Sequence, residues 1–329
     1  FLIGQILLKS INSSSFIIYD VWHFWIRRWF RTLPAYFFVI TLLIVIDILV
    51  GKNVNVSHFC AHYFFIQDTS FESLYPESWS LKIEEWFYLV FPFLLYLSLK
   101  LFKVDKNKIV LFWIISFIIV GTVIRSYLSA SVFGVTSWLI NARFSLPARI
   151  DSIMYGMFGA FLAFHKYKIW DKKNLFFFIG VFIYIVTAIN SNIRFNWFTQ
   201  YFQISFESLG ALFLLPKLCS LREGKGYVYR FVTFVSTISY SMYLINATPF
   251  RMFLKSARVK LFMLDAFGDF YKSAEFILYL MWCFFGGYIL YRLIEHPMMK
   301  LRDSMVWSKI NVNKKYATVE LSVNETQKT

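Results

Sequence analysis

The chain has 329 residues, of which 58% are hydrophobic, 22% aromatic and 16% charged. Soluble domains carry roughly 25% charged residues, and 40 phenylalanines are too many for a soluble core of this size, so the composition excludes an ordinary globular protein and points to the bilayer. The net charge of +15 would suggest nucleic acid in a soluble protein; here a Lys and Arg excess on the cytoplasmic side, facing anionic headgroups, accounts for it, and no nucleic acid is expected as a partner.

Apolar runs of about 20 residues, the length that crosses a bilayer, fall near 33–50, 83–101, 109–127, 147–164, 174–190, 203–219, 229–247 and 273–294. The chain is therefore expected to be all-α, a polytopic integral membrane helical bundle of about eight complete spans plus a stub at 1–8. A barrel is excluded, because its strands alternate over about ten residues whereas these runs are continuous. The opening "FLIGQILLKS" lacks Met and begins inside an apolar segment, so the true N-terminus is expected upstream. Cys60, Cys219 and Cys283 are scattered without a CxxC, which offers neither a disulfide framework nor a zinc site.

In "YDVWHFWIRRWFRTLPAY", Trp22, Trp25 and Trp29 recur at helical spacing among Arg27, Arg28 and Arg31, as in a helix lying in the membrane interface. Thr32 is placed to cap the next helix and Pro34 to occupy its first turn. The arginines either anchor the chain by the positive-inside bias or grip phosphates through their forked donors. Further on, His58, Cys60 and His62 have a helical spacing that suits a metal, but no H-E-x-x-H accompanies them and no metal is expected. His23, His165 and His296 lie at edges or in loops, and none is an evident deep base.

The next span opens with two acids in "SWSLKIEEWFYLVFP". Ser80 is a plausible cap, Glu84 and Tyr88 share a face, Glu85 can reach Lys82, and Pro92 should kink the helix. An ionisable group at the edge of hydrocarbon is a functional candidate by default, so Glu84 is set against the plainer alternative of a solvated interfacial residue. In "NARFSLPARIDSIMYGMFGAFLAF", Gly156, Gly159 and Ala160 permit close helix contact. Arg149 either pairs with Asp151 or headgroups, or meets Glu84. The span holding Ser236, Ser239, Tyr240, Tyr243 and Asn246 is rich in groups that can tie helices together. Glu295 follows the last span, Pro297 is expected to end its helix, and the polar tail from 303 to 329 is read as flexible and cytoplasmic. Basic loops alternate with loops poorer in Lys and Arg, which puts Arg27, Arg28, Arg31 and Glu295 inside and Glu84 and Arg149 outside. The 248–272 loop, with Arg251, Lys255, Arg258 and Lys260, is the exception.

Taken in order, "RRWFRTLPAY", "WSLKIEEWFYLVFP", "ARIDSIMYGMFGAFLA", "SYSMYL" and "RLIEHP" resemble the membrane-bound acyltransferase family 3, which transfers acyl groups onto sugars and other acceptors. The resemblance implies an acyltransferase transmembrane domain over 1–302, with the first of about ten family spans and most of the second absent, and with them the presumed catalytic His. It implies acetyl-CoA or another acyl-CoA as donor, with Arg27, Arg28 and Arg31 on its phosphates, and Glu84, Arg149 and Tyr240 as catalytic candidates. The expected acceptor is a hydroxyl of an extracytoplasmic carbohydrate or lipid-linked glycan, and the expected home a bacterial inner membrane with its lipids. Asn246 departs from the family where many members have His, so no acid–base role carries over to it. A transporter or flippase of lipid-linked glycan is the alternative, although the paired, broken helices that mark many transporters are not seen.

Overall fold

In the computed structural model the described residues are 1–13, 16–51, 56–67, 73–132, 134–193, 196–221, 224–254 and 270–304. Among them every regular element is helical: α1 (Leu2–Ser13), α2 (Ile18–Leu49), α3 (Val56–Tyr63), α4 (Trp79–Leu101), α5 (Lys106–Ala130), α6 (Val135–Trp138), α7 (Leu146–Phe164), α8 (Lys173–Ile193), α9 (Trp197–Tyr201), α10 (Gln203–Ser220), α11 (Tyr227–Ile245), α12 (Ala247–Leu254) and α13 (Tyr271–Leu290). The 255–269 stretch, which includes three of the four cations of the exceptional loop, and the tail over 305–329 lie outside the described residues.

Each of the eight predicted runs coincides with a helix. Among the described residues, four helices are long and apolar enough to cross a membrane by themselves: Ile18–Leu49, Lys106–Ala130, Lys173–Asn190 and Tyr271–Ser304. The other four that match predicted runs have a polar load that lowers their apolarity: Lys82, Glu84 and Glu85 in α4, Arg149 and Asp151 in α7, Glu207 and Lys217 in α10, and Arg230 with several hydroxyls in α11.

The chain divides into two compact units, residues Phe1–Trp22 with Asn55–Tyr229, and residues His23–Val54 with Arg230–Thr329. In the first, α7 is central, packing against α5, α10, α4 and α1, while α10 also lines α8. Small residues set these distances. A Cβ on Gly121 of α5 would stand 2.8 Å from the Asp151 Cβ, and one on Gly180 of α8 would stand 2.9 Å from the Gly210 carbonyl oxygen. Gly159 and Ala160 serve the close contacts expected of them, against Leu212 and Gly4 respectively.

In the second unit α2, α11, α12 and α13 supply the core. The Trp282 indole donates to the Ile245 carbonyl at 2.8 Å, tying α13 to the end of α11. Thr32 does not cap a new helix, because α2 runs unbroken from Ile18 to Leu49 with Pro34 inside it; the Thr32 hydroxyl bonds back to the Arg28 carbonyl at 3.1 Å. Nor does Pro297 end the last helix, which continues to Ser304. A π-helical segment at Tyr291–Glu295 precedes it and takes the ladder out of α register where the proline ring would otherwise clash. Likewise α4 starts at Trp79, before Ser80, and Ser78 in front of it donates its hydroxyl to the Tyr75 carbonyl at 2.7 Å.

Gly121→Ala forces two helix backbones apart, and overpacking of this kind costs about 1–3 kcal/mol. The expected result is a lower thermal midpoint of the purified protein in detergent, measured by near-ultraviolet circular dichroism; an unchanged midpoint contradicts the tight α5–α7 contact.

Candidate functional site

Two constellations of polar side chains stand inside otherwise apolar helices, one in each unit. In the second unit the face of α2 that carries the arginines leads to Glu295. Arg27 and Arg31 are exposed and Arg28 is half-buried. Glu295 is only 1% exposed. It accepts a 2.7 Å hydrogen bond from the Ser241 hydroxyl of α11, and its Oε1 lies 4.0 Å from Arg31 Nε. One buried carboxylate therefore links α11 to the arginine face, while the Arg31 side chain stays 46% exposed. A guanidinium steadied on one edge and open on the other is suited to an incoming oxyanion. Tyr240, a catalytic candidate, donates its hydroxyl to the Thr32 carbonyl at 2.8 Å, so in this arrangement its proton is spent joining α11 to α2.

In the first unit Glu84 is half-buried and accepts the Tyr88 hydroxyl at 2.9 Å, as their spacing predicts. Its neighbour Glu85 is the deeper of the two at 7% exposure. Lys82 is buried as well and donates to the Gln67 carbonyl at 3.2 Å. Arg149 lies over the Trp79 ring, 5.8 Å from its centroid, and its buried Nη1 has no hydrogen-bond partner among the described residues. Neither expected ion pair of Arg149, with Glu84 or with Asp151, forms among the described residues. Asp151 is instead engaged by Arg125.

Arg125 is the residue that the sequence reading passed over. It is fully buried, and its guanidinium donates to Asp151 Oδ2 at 2.8 Å and to the Ala148 carbonyl at 2.9 Å, both on α7. It also reaches Thr122 at 3.3 Å on α5 and the Ser205 hydroxyl on α10. The missed signal was plain: one arginine near the end of the 109–127 apolar run, where an ionisable group needs a partner. Nearby, Arg143 and Glu207 approach at 3.5 Å, and Gln203 donates to Glu207 at 2.8 Å. His62, weighed as a metal ligand, is buried and hydrogen-bonded to the Ser73 hydroxyl at 3.0 Å.

The predicted site residues thus fall in two groups, Glu84 and Arg149 in the first unit and Arg27, Arg28, Arg31 and Tyr240 in the second. Within the second group, Arg31 and Tyr240 converge on the same stretch of α2 and α11. Within the first, Arg149 and Glu84 sit near the same ends of adjoining helices without touching.

Known proteins give this geometry a context. Over 181 residues the chain is 31% identical to a Staphylococcus aureus (strain COL) protein named "Putative O-acetyltransferase SACOL0978". "Putative O-acetyltransferase SAS0844" of strain MSSA476 matches to the same extent. Each match takes in 49% of this chain and 28% of the relative, so the chain covers little more than a quarter of the relatives' length. No family model matches the chain, and no solved structure does.

Removing one partner of a buried ion pair strands the other and costs about 3–5 kcal/mol, whereas replacing both with apolar groups is often neutral. Asp151→Ala should therefore destabilise the protein strongly in detergent, and Arg125→Met with Asp151→Leu should recover most of the loss. If Asp151→Ala melts with the wild type, the pair is not what joins α5 to α7.

Proposed function

We propose that this chain forms the membrane part of an O-acyltransferase that moves an acetyl group from cytoplasmic acetyl-CoA to a hydroxyl of an extracytoplasmic cell-surface glycan. The observation that carries the proposal is the 31% identity to proteins named as O-acetyltransferases. The disposition of charge supports it: an open Arg31 beside Glu295 in one polar constellation, and in the other a carboxylate on α4 and, on the adjoining α7, a guanidinium whose Nη1 has no hydrogen-bond partner among the described residues.

In this scheme Arg27, Arg28 and Arg31 meet the donor's phosphates, with Glu295 fixing the rotamer of Arg31 from within the helix packing. The acceptor oxygen attacks the thioester carbonyl; its C–O bond forms, the C–S bond breaks, and the hydroxyl proton ends on the departing thiolate. Arg149 Nη1, buried without a partner, supplies a donor for an acceptor oxygen, because an unmet buried N–H is costly until a ligand satisfies it. Glu84, half-buried and fixed by Tyr88, orients the acceptor hydroxyl. Tyr240 holds α11 against α2 and so keeps Ser241 and Glu295 in register with Arg31. The acyltransferase portion is assigned to 1–302, with a cytoplasmic tail beyond it, in a bacterial inner membrane.

Purified protein supplied with radiolabelled acetyl-CoA and candidate polysaccharide acceptors should leave label on the polysaccharide. Transfer of unmodified lipid-linked glycan across liposomes, with no label incorporated, would instead identify a flippase.

Two variants test the roles. Arg31→Ala removes a charge-assisted contact and should raise the KM for acetyl-CoA about ten-fold or more with little change in acceptor KM; an unaltered donor KM excludes Arg31 from the donor site. Glu84→Gln should lower kcat by about 100-fold while membrane insertion and melting stay as in the wild type, and full turnover would reduce Glu84 to an interfacial residue.

A further inference from the structure

The second unit contains a groove of about 520 Å³ between α2, α12 and α13 with its π segment, and every residue lining it is apolar. Phe38 and Leu42 on α2, Phe253 on α12, and Ile289 and Leu293 along the last helix line it and are all exposed, so it opens sideways. Its flanking helices Ile18–Leu49 and Tyr271–Ser304 are both long and apolar enough to cross a membrane. A lateral opening along such helices faces hydrocarbon.

Length and charge define what enters. The groove runs from Trp282 to Ile294, and at 1.5 Å per residue that is roughly 18 Å, close to the ~15 Å of hydrocarbon in one leaflet. Arg27, Arg31, Phe38 and Leu42 fall within an arc of roughly 60° on α2 at 3.6 residues per turn, and all four are exposed. Two cations therefore stand on the face that leads into the groove, with Arg31 roughly 10 Å before Phe38 along the axis. Glu295 approaches Arg31 at Nε and leaves its outer nitrogens open.

We propose that this groove binds one hydrocarbon chain of an anionic phospholipid, whose phosphate is held by Arg31 and Arg27. A fatty acyl-CoA fits less well. Its amide-bearing pantetheine arm lies between phosphates and chain, and among the described residues the groove's walls have no polar side chain to satisfy those amides. In a phospholipid only a glycerol ester separates phosphate from hydrocarbon, which matches the short step from Arg31 to Phe38. The site shares Arg27 and Arg31 with the one proposed for the acetyl-CoA phosphates, so the two ligands exclude each other there; the lipid site itself does not rest on the acyltransferase assignment, since bilayer lipid reaches this face whatever the chain catalyses.

Trp282, in the groove wall, provides the test. The full chain is reconstituted in phosphatidylcholine vesicles containing increasing fractions of phosphatidylglycerol or phosphatidylcholine with brominated chains, and Trp282 quenching is taken as the difference between wild type and Trp282→Phe. Brominated phosphatidylglycerol should quench along a saturating curve at much lower mole fraction than brominated phosphatidylcholine. Arg31→Gln should shift that curve about five-fold toward higher lipid, the effect of one cation near an anionic surface. Native mass spectrometry of the wild type, which needs no variant, should show one phosphatidylglycerol retained in preference to phosphatidylcholine. Coincident, unsaturating curves for the two lipids overturn the proposal, and so does equal retention of both.

Discussion

A charged side chain within a membrane helix has no solvent to turn to, and much of this architecture follows from that constraint. Arg125 illustrates it. Its guanidinium is fully buried, and its two terminal nitrogens donate to a carboxylate, a carbonyl and two hydroxyls from three helices, while Nε has no hydrogen-bond partner among the described residues. The helices lie where those acceptors converge, and Gly121 lets α7 come close enough for Asp151 to be among them. Close packing at Gly121 is thus what brings the carboxylate within reach of the guanidinium.

The second unit meets the same constraint with a different sign. Glu295 is a buried acid that accepts a hydrogen bond from Ser241 on one side and has Arg31 at 4.0 Å on the other. Arg31 is not buried by this contact. The result is an asymmetric arrangement in which the acid is committed to the protein and the base is only steadied by it. That division separates a structural group from a candidate ligand-binding group on adjoining helices, and it is why Arg31 takes precedence over the other cations of its segment.

Much of the helical layout was legible in the sequence. Continuous apolar runs mark helices because a bilayer demands backbone self-satisfaction, and every predicted run coincides with one. Local details that depend on neighbours were not legible. Thr32 and Pro34 look like a helix start, yet α2 passes through them, since a proline can be accommodated inside a packed helix. Pro297 looks like a stop, yet a π turn absorbs it. The Glu84–Tyr88 bond was readable because four residues make one helical face. The Arg125–Asp151 pair joins residues 26 apart in sequence, and no periodicity reports which of two nearby arginines an aspartate will choose. Arg149 was the nearer guess along the chain, and Arg125 is the partner across the helix interface.

The knot at Arg125 also bears on how this unit can move. One planar group is bonded to α5, α7 and α10 together, so none of the three can slip lengthwise by a turn without unmaking charge-assisted bonds in a medium that supplies no replacements. These helices form a stator. α4 has no part in that guanidinium's bonds and meets α7 instead where Arg149 lies over the Trp79 ring.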